Sequence, residues 1–366
     1  MTESPRPGGH VSAWLVPHRR VFATGHDLSD EGVDWLATIG LAARDYALPM
    51  LTSVLNQSGL FAQVPTEPAT YLDYALHANA RANDAIREQV LVVGRVLEQI
   101  GVEGVLLKGA AWLFETGPAA RDRMMRDIDL LVPASRIIAV RQALAAAGFR
   151  ASQIILGEEG HVHDQPLEHP DHPVSLEVHH ELTTRPNLLS GAEVIRQAVP
   201  VAGGLAVPSL AHRLLHNVIH GQLINGHYAG GVLDMRDAMD VGRLVCLGED
   251  VIDWLALDGE ARQQGTCGLL AASLHQARFV TGCILPAPFA ADSSAKRHLR
   301  RCLLQRRFPL LDRVLRPAGT LKRALAWERD SFALGLGENR GLDAHLKVNR
   351  RRFARAWTRL GRLVQR

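Results

Sequence analysis

The chain has 366 residues, of which 47% are hydrophobic, with 41 Lys+Arg against 38 Asp+Glu and a formal net charge of +3. That length allows two or three domains with a sizeable core, and the composition excludes a fibrous or wholly disordered chain. No run of roughly 18 apolar residues occurs, so no spanning helix is expected; the opening MTESPRPGGH also lacks the charged-then-apolar order of a secretion signal.

Residues 1–26 are rich in Pro and Gly, with Trp14, Leu15 and Val16 as a possible anchor. From Leu28 to Ile100 the apolar spacing is helical: Ile39, Ala42, Ala43 and Tyr46 recur on one face, and a long alanine-rich segment runs from Glu67 into VLVVGRVLEQIG. A short strand at Val105 follows, then a helix, an arginine-rich loop and a strand over DIDLLV. Ala134 to Ala147 reads as a helix stopped by Gly148. Phe149 to Leu156 and Val174 to Leu182 read as strands, the second with Glu177, His179 and Glu181 on one face. Pro208 to Gly221 is a helix with Ser209 as its N-cap, and helices are also expected over Val232–Leu247, Val251–Gln264 and Cys267–Val280. Beyond Ala290 the pattern is helical and basic. Leu346, Phe353, Trp357, Leu360 and Val364 form one apolar stripe among arginines. The expected organisation is an N-terminal helical region (1–84), a catalytic core (85–207), a helical domain (208–290) and a basic helical C-terminal region (291–366).

The small net charge hides an asymmetry. Residues 296–366 carry 20 Lys+Arg against 5 Asp+Glu, which leaves 21 basic and 33 acidic residues in the rest of the chain. A basic tail on an acidic body implies intramolecular docking or an acidic partner. Cys246, Cys267, Cys283 and Cys302 form no CxxC pair and read as reduced thiols of a cytoplasmic protein.

The chemistry concentrates between Val105 and Val132. Alternation along a strand puts Asp127 and Asp129 on one face, roughly 6–7 Å apart, where two carboxylates can hold a hard cation such as Mg2+. Ile128, Leu130 and Val132 face the core. Lys108 and Gly109 stand at the end of the preceding strand; glycine permits a tight turn, and the next helix offers N–H groups suited to phosphate. Lys108 is one of only four lysines in a chain whose other basic residues are arginine. Arg121, Arg123 and Arg126 precede the aspartates, and a guanidinium fork suits phosphate oxygens. Cation, lysine, helix end and arginines are together what a nucleoside triphosphate needs.

LLKGA, then an arginine, then DIDLLV and a helix ending in Ala-Gly-Phe resembles the uncharacterised nucleotidyltransferase family of the polymerase β-like nucleotidyltransferase superfamily. SLEVHHEL and VPSLAHRLLHNVIH resemble that family's later blocks, so the likeness covers about residues 85–245. Two positions depart from the superfamily. Lys108-Gly109 replaces the more usual Gly-Ser, and Arg126 stands where a small residue is expected. The resemblance implies an α/β fold, a small mixed sheet of polymerase β-like type flanked by helical regions. It also implies transfer of a nucleoside monophosphate from an NTP to a hydroxyl, with release of pyrophosphate. Two Mg2+ ions about 3.5–4 Å apart are the usual arrangement for such transfer. Asp127 and Asp129 would hold both, with Glu177 as third carboxylate and Glu181 as second choice.

Lys108, Gly109, Arg123, Arg126 and His179 are then the candidate nucleotide-binding residues, Arg123 being the arginine that fits the family position best. His179 could orient the acceptor, carry a proton or stack on the base; His161 and His163 alternate similarly. His212, His216 and His220 recur every fourth residue, a spacing that can bind zinc, but a helix beside the active site is the preferred reading. By analogy with family members alongside natural-product peptide biosynthesis, the acceptor is a peptide or small-molecule hydroxyl. Phosphoryl transfer at the same site is the near alternative. A non-catalytic protein that holds RNA or an acidic peptide on its basic C-terminus is the distant one; a nucleic-acid partner has no support beyond charge.

Overall fold

A computed structural model describes residues 33–115, 117–152, 165–183 and 188–319. The expectations for Trp14, for His161 and His163, for the far end of the Phe149 strand and for the C-terminal apolar stripe lie outside these residues.

Two helices, α1 (Trp35–Arg44) and α2 (Leu48–Gln57), lead into α3 (Thr66–Gln99), 34 residues long. At 1.5 Å per residue α3 is about 50 Å long and serves two cores. Its N-terminal Leu72 joins Met50, Leu51 and Leu55 of α2, while Ile86, Val90, Val93 and Leu97 lie against the sheet. Gly94 lets α3 cross a hairpin, because a Cβ there would stand 2.3 Å from the Gly203 carbonyl oxygen.

The chain continues through β1 (Gly104–Leu106), the one-turn α4 (Lys108–Ala111), α5 (Ala119–Asp122), β2 (Asp127–Leu131) and α6 (Ile137–Ala146). Then come β3 (Arg150–Ala151), β4 (Leu167–Glu168), β5 (Ser175–His179), α7 (Gly191–Arg196), β6 (Val199–Pro200) and β7 (Leu205–Val207). The strands form one mixed seven-stranded sheet in the order β3-β4-β5-β2-β1-β7-β6. β2 runs antiparallel to β1 and parallel to β5, and β1 runs parallel to β7. The fold is therefore mixed α/β. The expected strands at Val105, DIDLLV and Val174–Leu182 are present, the last ending at His179.

The rest of the described chain is helical: α8 (Leu210–Val218), α9 (His227–Gly230), α10 (Met235–Leu247), α11 (Trp254–Gln263), α12 (Cys267–Thr281), α13 (Ala287–Ala290) and α14 (Ser293–Arg307). Ser209 caps α8 through the His212 N–H, and α8 runs on into a π-helical turn over Ile219–Ile224. Cys283 and Cys302 are buried, Cys267 is half-buried, Cys246 is exposed, and all four are free thiols.

Strand alternation assigns the two faces of the sheet. Ile128, Leu130, Leu176 and Val178 share a core with α3 and α6. Val105, Leu131 and Ala206 point the other way, into a core with Leu214, Val241, Leu270 and Leu274 of the later helices. Asp127 and Asp129 share a face with Leu131, so the sheet presents its carboxylates to the helical half of the chain.

Candidate active site

The turn from β1 into α4 sets the site. The Leu107 N–H donates to the Asp129 carbonyl at 2.9 Å, which locks the turn to β2. The left-handed backbone of this turn falls on Lys108 (φ +45°), not on Gly109 as the sequence suggested. Such a conformation is uncommon for a side chain other than Gly, Asn or Asp and stores strain, as residues at functional sites often do. Gly109 serves another purpose. A Cβ there would meet Met125 Cγ at 2.7 Å and Sδ at 3.0 Å, so its bareness lets the loop before β2 pass close by.

The parallel register places Asp129 beside Glu177 and Asp127 beside Ser175. Lys108 Nζ donates to Asp129 Oδ1 at 2.7 Å, and His179 Nε2 lies 2.8 Å from the same oxygen. His179 Nε2 is also 3.8 Å from Glu177 Oε2. Ligand atoms of Asp129, Glu177 and His179 all fall within 4.8 Å of one another. Two carboxylates and an imidazole are a donor set that suits Mn2+ as well as Mg2+. Asp127 stands one step along the same face and is less buried than Asp129.

The two aspartates are electrically unlike. Burial would raise the Asp129 carboxyl, but the Lys108 ammonium and the His179 hydrogen bond hold it well below the usual carboxylate range. Asp127 is pushed up by burial and by the Asp129 charge, against the pull of Lys108 and Arg126. Burial disfavours the Lys108 ammonium; Asp129, with Asp127 and Glu177 behind it, more than compensates and raises it. The group therefore has more negative charge than one lysine satisfies, which is the condition a divalent cation relieves.

The arginines ahead of β2 separate in space. Arg123 is buried, with Nε 2.7 Å from Asp240 Oδ2 of α10 and Nη1 donating to the Met124 carbonyl. Beside it Asp122 accepts from Arg243 Nη2 at 2.7 Å, so the loop is stapled twice to α10. Arg126 donates to the Tyr46 hydroxyl at 2.9 Å and lies over the Tyr46 ring at 4.4 Å. Arg121 is exposed, and its carbonyl accepts from Asn79.

Next to the carboxylates opens a small cleft with a cavity volume of about 70 Å³, lined by Lys108 and Arg123 and, from the helical half, by Arg213, His216, His220 and Asp237. Lys108 is the link between the carboxylate group and this cleft. Burial, with Lys108 adding to it, lowers His216 well below the usual histidine range and His220 to about 4, so both are neutral imidazoles near pH 7. The helix beside the site is thus the reading of these histidines that the structure supports; His212 stands apart from the lining, and no metal-ligating group among the described residues combines the three.

Several cleft residues were not found from sequence. Arg213 had only its place inside HRLLH as a signal. Asp237 and Asp240 lie in DMRDAMD, where i and i+3 acids share a helix face, a pattern that passes for a solvated surface until Arg123 is seen to reach it. A second group, His227, Asp234 and Asp237, also brings ligand atoms within 4.8 Å of one another. There burial and the neighbouring Asp237 push the Asp234 carboxyl up to about 7.

No helix among the described residues is long and apolar enough to cross a membrane. No curated protein matches the chain. The model of a family described as uncharacterised nucleotidyltransferase matches residues 31–282, taking in the long helix, the sheet and the helices that close the cleft. The chain belongs to this nucleotidyltransferase family, whose activity is transfer of a phosphorus-containing group.

Proposed function

We propose that the protein moves a nucleoside monophosphate from an NTP to a hydroxyl of a peptide or small-molecule acceptor, on a polymerase β-like core, releasing pyrophosphate. The observation that carries this reading is the side-by-side register of Asp129 and Glu177 on parallel strands, with Lys108 on the same oxygen that a cation would use. Asp127, Asp129 and Glu177 are the residues to hold divalent cations, and His179 adds a nitrogen ligand or orients the carboxylates. Bound cations supply a bridge to the phosphate oxygens and stabilise charge as it develops.

In this reading the acceptor hydroxyl attacks the α-phosphorus. A new P–O bond forms, the bond to the β-phosphate oxygen breaks, and pyrophosphate leaves with the electron pair. Glu177, less buried than Asp129 and His179, takes the hydroxyl proton. Lys108 holds the Asp129 charge when no cation does, and its flexible stem can turn the ammonium to a phosphate in the adjoining cleft. Arg126, exposed over Tyr46, is the arginine best placed to meet a ligand from solvent; Arg123 shapes the cleft wall through Asp240.

The test is calorimetric titration with each of the four ribonucleoside triphosphates, with and without Mg2+ or Mn2+, on the wild type and on Asp127→Asn, Asp129→Asn. Metal-dependent binding of one triphosphate that the double variant loses is the expected result. A folded wild type that binds none of the four sinks the reading. Release of orthophosphate instead of pyrophosphate on turnover assigns the site to phosphoryl transfer.

A further inference from the structure

The cleft contains a cation that the chemistry above does not use. Arg213 lies on α8, and its side chain is only 6% exposed. Glu115 accepts from its Nη1, and the guanidinium lies over the Trp112 ring at 4.2 Å. Its Nη2 is buried and has no partner among the described residues. Guanidinium does not give up its proton in a protein, and a buried donor left unmet on a permanent charge is costly. Glu115 satisfies one edge; Trp112 fixes the plane. The remaining edge is an unmet donor in the wall of the cleft.

The cleft's other charges are largely matched. Lys108 and Arg213 lie on it with the uncharged imidazoles of His216 and His220, while its acids, Asp237 and Asp240, stand beside the lining arginines Arg236 and Arg123. An anion entering from the carboxylate group meets Lys108 and, beyond it, the unmet terminal nitrogen of Arg213. An anion that reaches from Asp129 past Lys108 into the helical half must be extended and charged along its length. A chain of phosphates is both.

We propose that Arg213 is a phosphate anchor, holding the terminal phosphates of the triphosphate in this cleft while the α-phosphate lies at the carboxylates. The assignment rests on the triphosphate reading and adds to it the residue that tells a triphosphate from a monophosphate. Phosphate oxygens take planar, charge-assisted hydrogen bonds from arginine better than from lysine.

The experiment uses inorganic tripolyphosphate without metal, and nucleoside tri- and monophosphates with Mg2+, titrated calorimetrically into the full chain and its variants Arg213→Gln, Arg213→Lys and Glu115→Gln. We expect Arg213→Gln to weaken tripolyphosphate and nucleoside triphosphate binding at least tenfold and to leave the monophosphate unchanged. Arg213→Lys recovers part of the loss. Glu115→Gln, which keeps the arginine and removes its neutralising partner, tightens tripolyphosphate binding severalfold. This last variant decides the matter if Arg213→Gln does not fold, and an unchanged affinity in it overturns the anchor. Equal tripolyphosphate affinity in the wild type and a folded Arg213→Gln overturns it too, as does a wild type that binds no tripolyphosphate. A triphosphate that needs Asp127 and Asp129 but ignores Arg213 refutes the anchor alone. Tripolyphosphate held through Arg213 beside a nucleoside triphosphate indifferent to the aspartates keeps the anion site and sinks the nucleotidyl-transfer reading.

Discussion

Lys108 and Asp129 allow the site's electrostatics to be tested without any substrate. The pair is 2.7 Å apart, and Asp129 is 3% exposed against 27% for Lys108. Two unit charges at that distance attract by about 6 kcal/mol in an effective dielectric of about 20, before the cost of desolvating them. The inequality of exposure makes the two single changes unequal. Lys108→Met strands a buried carboxylate that has only His179 left, which costs about 3–5 kcal/mol. Asp129→Asn leaves an ammonium that can turn into the open cleft and be hydrated, so it costs about 1–2 kcal/mol, near the worth of one charged hydrogen bond. The double variant removes both charges and costs less than the sum of the singles by about 2–3 kcal/mol. Urea denaturation at pH 7 without divalent metal reads these differences as shifts in midpoint at constant slope. Because Asp129 titrates well below its ordinary value, its stabilising charge is complete above about pH 4 and fades as acid takes the pH down through the depressed value; Lys108→Met loses that acid-side dependence. Mg2+ or Mn2+ should restore Lys108→Met more than the wild type, since a cation at Asp129 replaces the missing ammonium. Single costs that are equal and additive to within about 0.5 kcal/mol would refute the reasoning.

Two further changes test the frame around the site. Gly94→Ala should gain about 1 kcal/mol of helix propensity and still lower Tm, because its Cβ would stand 2.3 Å from the backbone oxygen of Gly203 and such overpacking costs about 1–3 kcal/mol or more; a stabilised variant would show that α3 and the hairpin can part. Asp234→Asn keeps the cap on the Asp237 N–H at the start of α10, since Asn caps as well as Asp. The native Asp234 retains its proton up to about 7, whereas the unfolded chain gives it up near pH 4. The wild type therefore loses stability as pH rises between those values, by up to about 4 kcal/mol, and the variant does not. The Tm gap in favour of Asp234→Asn should widen from about pH 4.5, near the start of the window, to about pH 8, beyond its end; the same gap at both pH values would mean that Asp234 is ionised throughout.

The parts of the site that lie close in sequence were legible; the parts supplied from a distance were not. Strand alternation was enough to put Asp127 and Asp129 on one face, and the VSLEVHHEL pattern put Glu177 and His179 together, because period two is a local property of the backbone. The pairing of β2 with β5 needed the fold: about fifty residues separate Asp129 from Glu177, and only the parallel register makes them neighbours. Arg123 shows the opposite case. Beside a DxD pattern its charge suggested phosphate, and nothing local told of Asp240 on α10, which accepts its Nε. Lys108 is intermediate. Its rarity marked it, and its position after an apolar strand was right, but the left-handed backbone that aims it comes from the lock between Leu107 and Asp129.

Those long-range contacts also explain why the carboxylates do not stand on a sheet alone. The loop before β2 reaches α10 through Asp122–Arg243 and Arg123–Asp240, both at 2.7 Å and both nearly dry on the acid. Breaking one partner of such a pair leaves a buried charge, so each ties the aspartate strand to the helical half more strongly than a surface bridge could. From the other side, Tyr46 holds Arg126. The residue next to Asp127 is thus tethered to the N-terminal helices and the loop before it to the C-terminal ones. Lys108 faces both the carboxylates and the cleft that these tethers close. A chain that only bound an acidic partner on a basic tail would have no reason to bury charged pairs around a strained lysine. The proposed transfer, with a triphosphate at one end and a metal at the other, needs that junction fixed, and the helices after residue 207 do so while carrying Arg213, His216 and His220 to the same cleft.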